Sequence, residues 1–131
     1  MAKKKPKPPR PTDAELGILR VLWQQGPCTV RQVQETLNRA KKTGYTTVLK
    51  LLQIMTDKEL VVRDESSRTH IYRPRMKEEQ TQKQLVIDLV GKAFGGATEK
   101  LVMQALSARK VSAEELAEIR KLLDELEEDQ S

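Results

Sequence analysis

The chain has 131 residues, of which 37% are hydrophobic, 33% charged and 3% aromatic, which fits one small helical domain, or such a domain with an appendage, built on an aliphatic core. No apolar run approaches the ~18 residues of a membrane span and the N-terminus lacks the apolar stretch of a signal peptide, so a cytoplasmic protein without membrane insertion is expected. One cysteine and one histidine exclude an intramolecular disulfide and a structural zinc site, and neither metal nor cofactor is expected. The net charge of +5 divides into +10 over residues 1–77 and −5 over residues 78–131, a basic front half suited to a polyanion and a rear half with another task.

Residues 1–11, MAKKKPKPPRP, read as a disordered basic tail, because they hold four prolines and little to bury. Thr12 then opens helix one with the capping box T-D-A-E, and Leu16, Leu19, Leu22 and Trp23 recur at helical spacing up to Gly26-Pro27. Thr29 opens helix two in the same way, with T-V-R-Q and the apolar positions Val30, Val33 and Leu37. It ends near Ala40, before the polar turn Lys41-Lys42-Thr43-Gly44. Helix three is predicted from about Thr46 to Lys58. Val48, Leu51, Leu52 and Met55 form its buried face, and Thr46, Lys50, Gln53 and Asp57 the opposite one. Short hydroxyls and a lysine at the start of an outward face suit a helix whose N-terminal end enters a major groove. Thr46 and Thr47 also suit simple capping of this helix.

The period then changes. Residues 60–64 and 69–73 are β-rich and flank Glu65-Ser66-Ser67-Arg68, which reads as a hairpin closed by Pro74. Helix, helix, turn, helix, hairpin is the order of a winged helix-turn-helix module, with Arg68 at the wing tip placed for the phosphate backbone. From Met76 onward the chain reads as helical. Leu85, Leu89 and Val90 mark helix four, which stops near Phe94-Gly95-Gly96. Thr98 caps helix five, carrying Leu101, Val102, Ala105 and Leu106. Ser112 opens helix six with S-A-E-E, followed by Leu116, Ile119, Leu122, Leu123 and Leu126. About fifty residues in three helices hide their apolar faces poorly alone. A homodimer is therefore expected, held by Leu85, Leu89, Phe94, Leu101, Val102, Leu106, Leu116, Ile119 and Leu123.

The resulting expectation is a mainly α fold with a small β-hairpin: a basic tail over 1–11, a winged-helix DNA-binding domain over 12–75 and a helical dimerisation region over 76–131. No catalytic constellation is present: there is no G-x-S-x-G, no H-E-x-x-H and no glycine-rich phosphate loop. Candidate DNA contacts are Arg31, Lys41, Lys42, Thr46, Thr47, Lys50 and Arg68. Arg31 lies in the first turn of helix two, where the helix dipole itself favours a phosphate. Trp23 reads as core and His70 as a packed or edge strand residue. Cys28, just before helix two, reads as an inert small residue or as a thiol whose thiolate the helix N-terminus favours. The alternative to DNA recognition is a winged-helix adaptor for proteins with only nonspecific DNA affinity.

The stretches PTDAELGILRVLWQQGPCTVRQVQETL, GYTTVLKLLQIMTDKELVVRDESSRTHIYRP, LVGKAFGGATEKLVMQAL and SAEELAEIRKLLDEL together resemble the penicillinase-repressor family, the BlaI/MecI/CopY type of bacterial transcriptional repressor. The resemblance runs from Thr12 to about Glu127 and implies a dimeric repressor that covers a palindromic operator in double-stranded DNA. It carries DNA reading onto Thr46, Thr47 and Lys50. It also implies a sensor protease as a partner, whose signal leads to cleavage of an Asn-Phe pair in the fifth helix. Gln104-Ala105 occupies that place here, a departure from the family pattern. The copper-binding cysteine pair of some relatives has no counterpart in the tail DELEEDQS. Gln53, Ile54 and Ser67 stand where relatives often have basic residues on helix three and a glycine in the wing.

Overall fold

The computed structural model describes residues 10–131. The basic-tail reading of 1–11 therefore lies outside the described residues, except for exposed Arg10 and half-buried Pro11. The elements run α1 (Asp13–Gln25), α2 (Val30–Ala40), α3 (Tyr45–Asp57), β1 (Val61–Asp64), β2 (Ile71–Pro74), α4 (Glu78–Ala93), α5 (Thr98–Ala108) and α6 (Ala113–Gln130). Compact packing divides between Leu85 and Val86, inside α4.

The capping boxes of α1, α2 and α6 form as expected: Thr12, Thr29 and Ser112 each accept a backbone N–H three residues on, and Glu15, Gln32 and Glu115 each accept one in return. α1 ends at Gly26, whose φ of 83° suits glycine. Two expected caps are corrected. α3 starts at Tyr45 behind Gly44, with no side-chain cap bond, so Thr46 and Thr47 do not cap it. α5 starts at Thr98 behind Ala97, likewise without a side-chain bond. There Gly95 and Gly96, both at positive φ, close a backbone turn in which the Gly96 N–H reaches the Val90 carbonyl, and this turn places Ala97 at the cap.

α3 ends differently. Glu59 takes the left-handed conformation at φ 63°. Its N–H reaches the Thr56 carbonyl and that of Leu60 reaches Met55. This is a Schellman closure with glutamate in the position usually given to glycine, and the buried side chains of Leu60 and Met55 complete it.

The first unit's core joins α1, α2, α3 and the hairpin through Ile18, Leu19, Val21, Leu22, Val33, Val48, Leu52, Met55, Val61 and Tyr72. Leu16, Trp23, Leu37 and Leu51 pack at its edge. β1 and β2 pair antiparallel with Val61 opposite Pro74 and Asp64 opposite Ile71. Pro74 is thus the last residue of the strand rather than its terminator. Cys28 and Tyr72 exchange both backbone hydrogen bonds, at 3.0 and 2.8 Å. The segment ahead of α2 therefore adds a one-residue third strand to the hairpin.

Glu15 is 1% exposed. Its oxygens accept hydrogen bonds from Lys58 Nζ, both at 3.0 Å, and from the Thr12 N–H at 2.9 Å. Burial pushes this carboxyl's pKa up, but the Thr12 backbone bond and the Lys58 ammonium outweigh it and hold the pKa below the usual glutamate value. One side chain thus caps α1 and ties it to the end of α3.

In the second unit, residues 86–131, no residue is buried. Apolar side chains along α4, α5 and α6 remain open, including Leu89, Val102 and Leu123, which is 50% exposed. Leu101, Leu106, Leu116 and Ile119 are half-buried, as is Phe94 at the end of α4. Among the described residues no helix is long and apolar enough to cross a membrane.

Candidate nucleic-acid interface

The turn between α2 and α3 is braced by side-chain amides. Asn38 Oδ1 accepts the Thr43 N–H at 2.9 Å, and Gln34 Nε2 donates to the Thr43 carbonyl at 3.0 Å. These bonds set where α3 begins. Val48, Leu52 and Met55 then anchor the inner face of the helix in the core, which turns Thr46, Thr47, Lys50 and Gln53 outward, all exposed. Because Gly44 occupies the cap, no cap bond engages the hydroxyls of Thr46 and Thr47. Lys41, at the C-cap of α2, and Lys42 are exposed on the braced turn.

The wing follows. Between β1 and β2 the residues from Glu65 to His70 are exposed. The Asp64 carboxylate accepts the Ser66 N–H at 2.9 Å, and the Ser66 hydrogen bonds hold the pKa of this carboxyl low. Ser67 donates to the Thr69 carbonyl. The turn thereby closes with serines at positions 66 and 67.

A cleft of about 510 Å³ separates the wing from the helices, lined by Thr29 and Arg31 of the α2 start, Tyr45 and Leu49 of α3, and Arg68, Thr69 and His70 of the wing. Arg31 and Arg68, distant in sequence, thus share one concave surface, while Lys41, Lys42, Thr46, Thr47 and Lys50 are not among its lining residues. The remaining lining residues, Tyr45 and His70 among them, were not among the DNA contacts expected from the sequence. Tyr45, 46% exposed, opens α3, and its place directly before the threonine pair was the available signal. His70 is exposed on this cleft, so the packed-strand alternative does not hold.

Cys28, just ahead of α2, is buried, with its Sγ donating to the Gly26 carbonyl. Burial pushes the thiol's pKa up, which corrects the expectation of a thiolate favoured by the α2 dipole.

Three helices, the third presented by a short turn and followed by a β-hairpin wing, define a winged helix-turn-helix protein. The comparisons narrow the class. The family model described as penicillinase repressor matches residues 11–125, and the chain belongs to that family. It is 32% identical over 116 residues to the transcriptional regulator BlaI of Mycobacterium tuberculosis, covering 88% of this chain and 83% of that one. It is 20% identical over 113 residues to the penicillinase repressor of Staphylococcus aureus, covering 86% of this chain and 90% of that one. The solution structure of the Bacillus licheniformis BlaI monomeric form in complex with the blaP half-operator is 23% identical, with a TM-score of 0.49, covering 56% of this chain and 89% of that one.

Proposed function

We propose that the protein is a dimeric, sequence-specific repressor that occupies a palindromic operator in double-stranded DNA and blocks transcription by its presence there. Membership of a family of transcriptional repressors supports the function. The observation that supports the proposed roles is the outward N-terminal turn of α3, with Thr46, Thr47 and Lys50 exposed on it.

An α-helix with its side chains is about 10–12 Å across and matches the width of the B-form major groove. Thr46 and Thr47 bring short side chains whose methyl groups can touch thymine methyls, and Lys50 reaches a guanine edge or a phosphate. Arg31 and Arg68 grip phosphates on either side of the cleft, with Lys41 and Lys42 on the flanking strand, and these contacts set register without reading sequence. The residues from 76 to 131 supply the dimer. Their open apolar faces need a cover, and a second copy related by two-fold symmetry provides one that matches a palindrome.

No catalytic step is required, because steric occupancy suffices. A promoter as target places the protein in the cytoplasm. Relief of repression by a sensor protease falls, in this reading, at the Gln104-Ala105 bond or elsewhere in α5. Both residues are exposed within α5, and a cut there separates α6 from the rest. The pair differs from Asn-Phe, so the protease must accept a different pair of side chains. The adaptor reading, by contrast, draws no support from the family.

Selection of bound sequences from randomised duplex DNA at near-physiological salt tests the proposal. A palindrome with two similar half-sites is expected. Enrichment of no sequence, with only salt-labile binding, refutes it.

A further inference from the structure

The connection between the wing and α4 is pinned to the head at successive residues. Pro74 pairs with Val61, and the Arg75 N–H donates to the Leu60 carbonyl at 3.0 Å. The indole Nε1–H of Trp23 donates to the Met76 carbonyl at 3.0 Å, across 53 positions of sequence. The Lys77 N–H then donates to Gln80 Oε1 at 3.1 Å, and Thr81, in the first turn of α4, is only 8% exposed. Trp23 itself packs against the core. Its ring is therefore held by apolar contact while its single polar atom holds a backbone carbonyl two residues ahead of a helix.

These bonds hold residues 74–77 and the first turn of α4 within the first unit. We infer that Trp23 is a positioning residue for operator recognition: by holding Met76 it restricts the half-site spacing that the dimer accepts. The inference rests on the proposed reading as a dimeric operator-binding protein. In such a dimer the second head binds intramolecularly, and the avidity gained, ~10²–10⁴-fold, is lost when geometry forbids both heads from engaging. Stiff linkers confine the gain to one spacing, and loose linkers spread it over several.

The test uses the full-length protein and the selected palindrome, with the half-sites moved one or two base pairs closer or further apart, together with an isolated half-site. The parent is expected to favour one spacing by about tenfold or more over its neighbours. Trp23→Phe keeps an aromatic ring and removes the donor. It is expected to bind the half-site within about twofold of the parent while its spacing preference falls by at least about threefold. A Trp23→Phe protein with parental half-site affinity and parental spacing preference overturns the inference. If Trp23→Phe does not fold, replacing Trp23 with benzothienylalanine, which keeps the bicyclic ring and lacks the N–H donor to Met76, is expected to flatten the preference equally, and an unchanged preference overturns the inference. A parent that binds palindromes of every spacing alike also overturns it while leaving the repressor reading intact. A parent that enriches no palindrome refutes that reading first.

Discussion

Replacing Lys58 with methionine isolates the contribution of the buried ion pair. The substitution keeps most of the side chain's apolar length and removes its charge, leaving the Glu15 carboxylate, whose side chain is 2% exposed, without the cation now 3.0 Å away. Breaking a fully buried pair costs about 3–5 kcal/mol, whereas exposed pairs contribute about 0–1 kcal/mol. The Lys58 side chain is 30% exposed, so water can take part of the ammonium's place, and the Thr12 N–H still serves one oxygen. A loss of about 2 kcal/mol lies between these limits. Trp23 is the sole tryptophan and lies in the head, so urea unfolding followed by its fluorescence reports that unit. With a slope of about 1 kcal/mol per molar urea for so small a unit, the midpoint should fall by about 2 M. Adding Glu15→Gln to Lys58→Met removes the stranded charge and should restore part of the loss, although Glu15→Gln alone destabilises. A midpoint within about 0.3 M of the parent's for Lys58→Met, or a double variant weaker than Lys58→Met alone, refutes the reasoning. The same pair predicts a pH dependence. The pKa of Glu15 is lower in the folded state than in the unfolded chain, so its stabilisation is complete above the ordinary glutamate value near ~4.3 and disappears as pH falls through the lower folded value. Glu15→Gln should lack this component of acid destabilisation.

The left-handed Glu59 predicts that Glu59→Gly raises the urea midpoint, by about 0.5–1 kcal/mol in stability, because glycine takes that conformation without steric cost. Lys50→Ala should weaken binding to the selected operator by ~1–3 kcal/mol with little effect on random DNA, whereas Arg68→Ala should weaken both alike and reduce the salt slope by about one. Equal losses on both DNAs for Lys50→Ala would reassign it to phosphate. Leu106→Asp should sediment as a monomer while the Trp23 unfolding transition persists, and an intact dimer would remove Leu106 from the interface. Native Cys28, buried and with its thiol pKa raised, should react with a thiol reagent only on unfolding; fast labelling of folded protein contradicts this.

Much of this architecture is local, and local chemistry is legible along a chain. Three capping boxes satisfy their own amides within four residues, the 3.6-residue period separates the buried Val48, Leu52 and Met55 from the exposed Thr46 and Lys50, and the β-rich pair around Glu65-Ser66-Ser67-Arg68 has nothing to form but a hairpin. Even there, the threonines of α3 and α5 yielded their expected caps to Gly44 and Ala97. A cap is assigned by the backbone of the residue entering the helix, and turns braced from elsewhere set that backbone.

The order of elements and their outward faces, and with them the winged-helix class, were therefore determined by the sequence alone. Only the tertiary structure joined Cys28 to Tyr72, buried Glu15 against Lys58, turned Trp23 from a core residue into an anchor for Met76, and set Arg31, Tyr45, Arg68 and His70 around one cleft. Each of these depends on residues dozens of positions apart. No periodicity encodes such pairings, because they arise when packed elements bring together polar groups that burial then obliges to find partners.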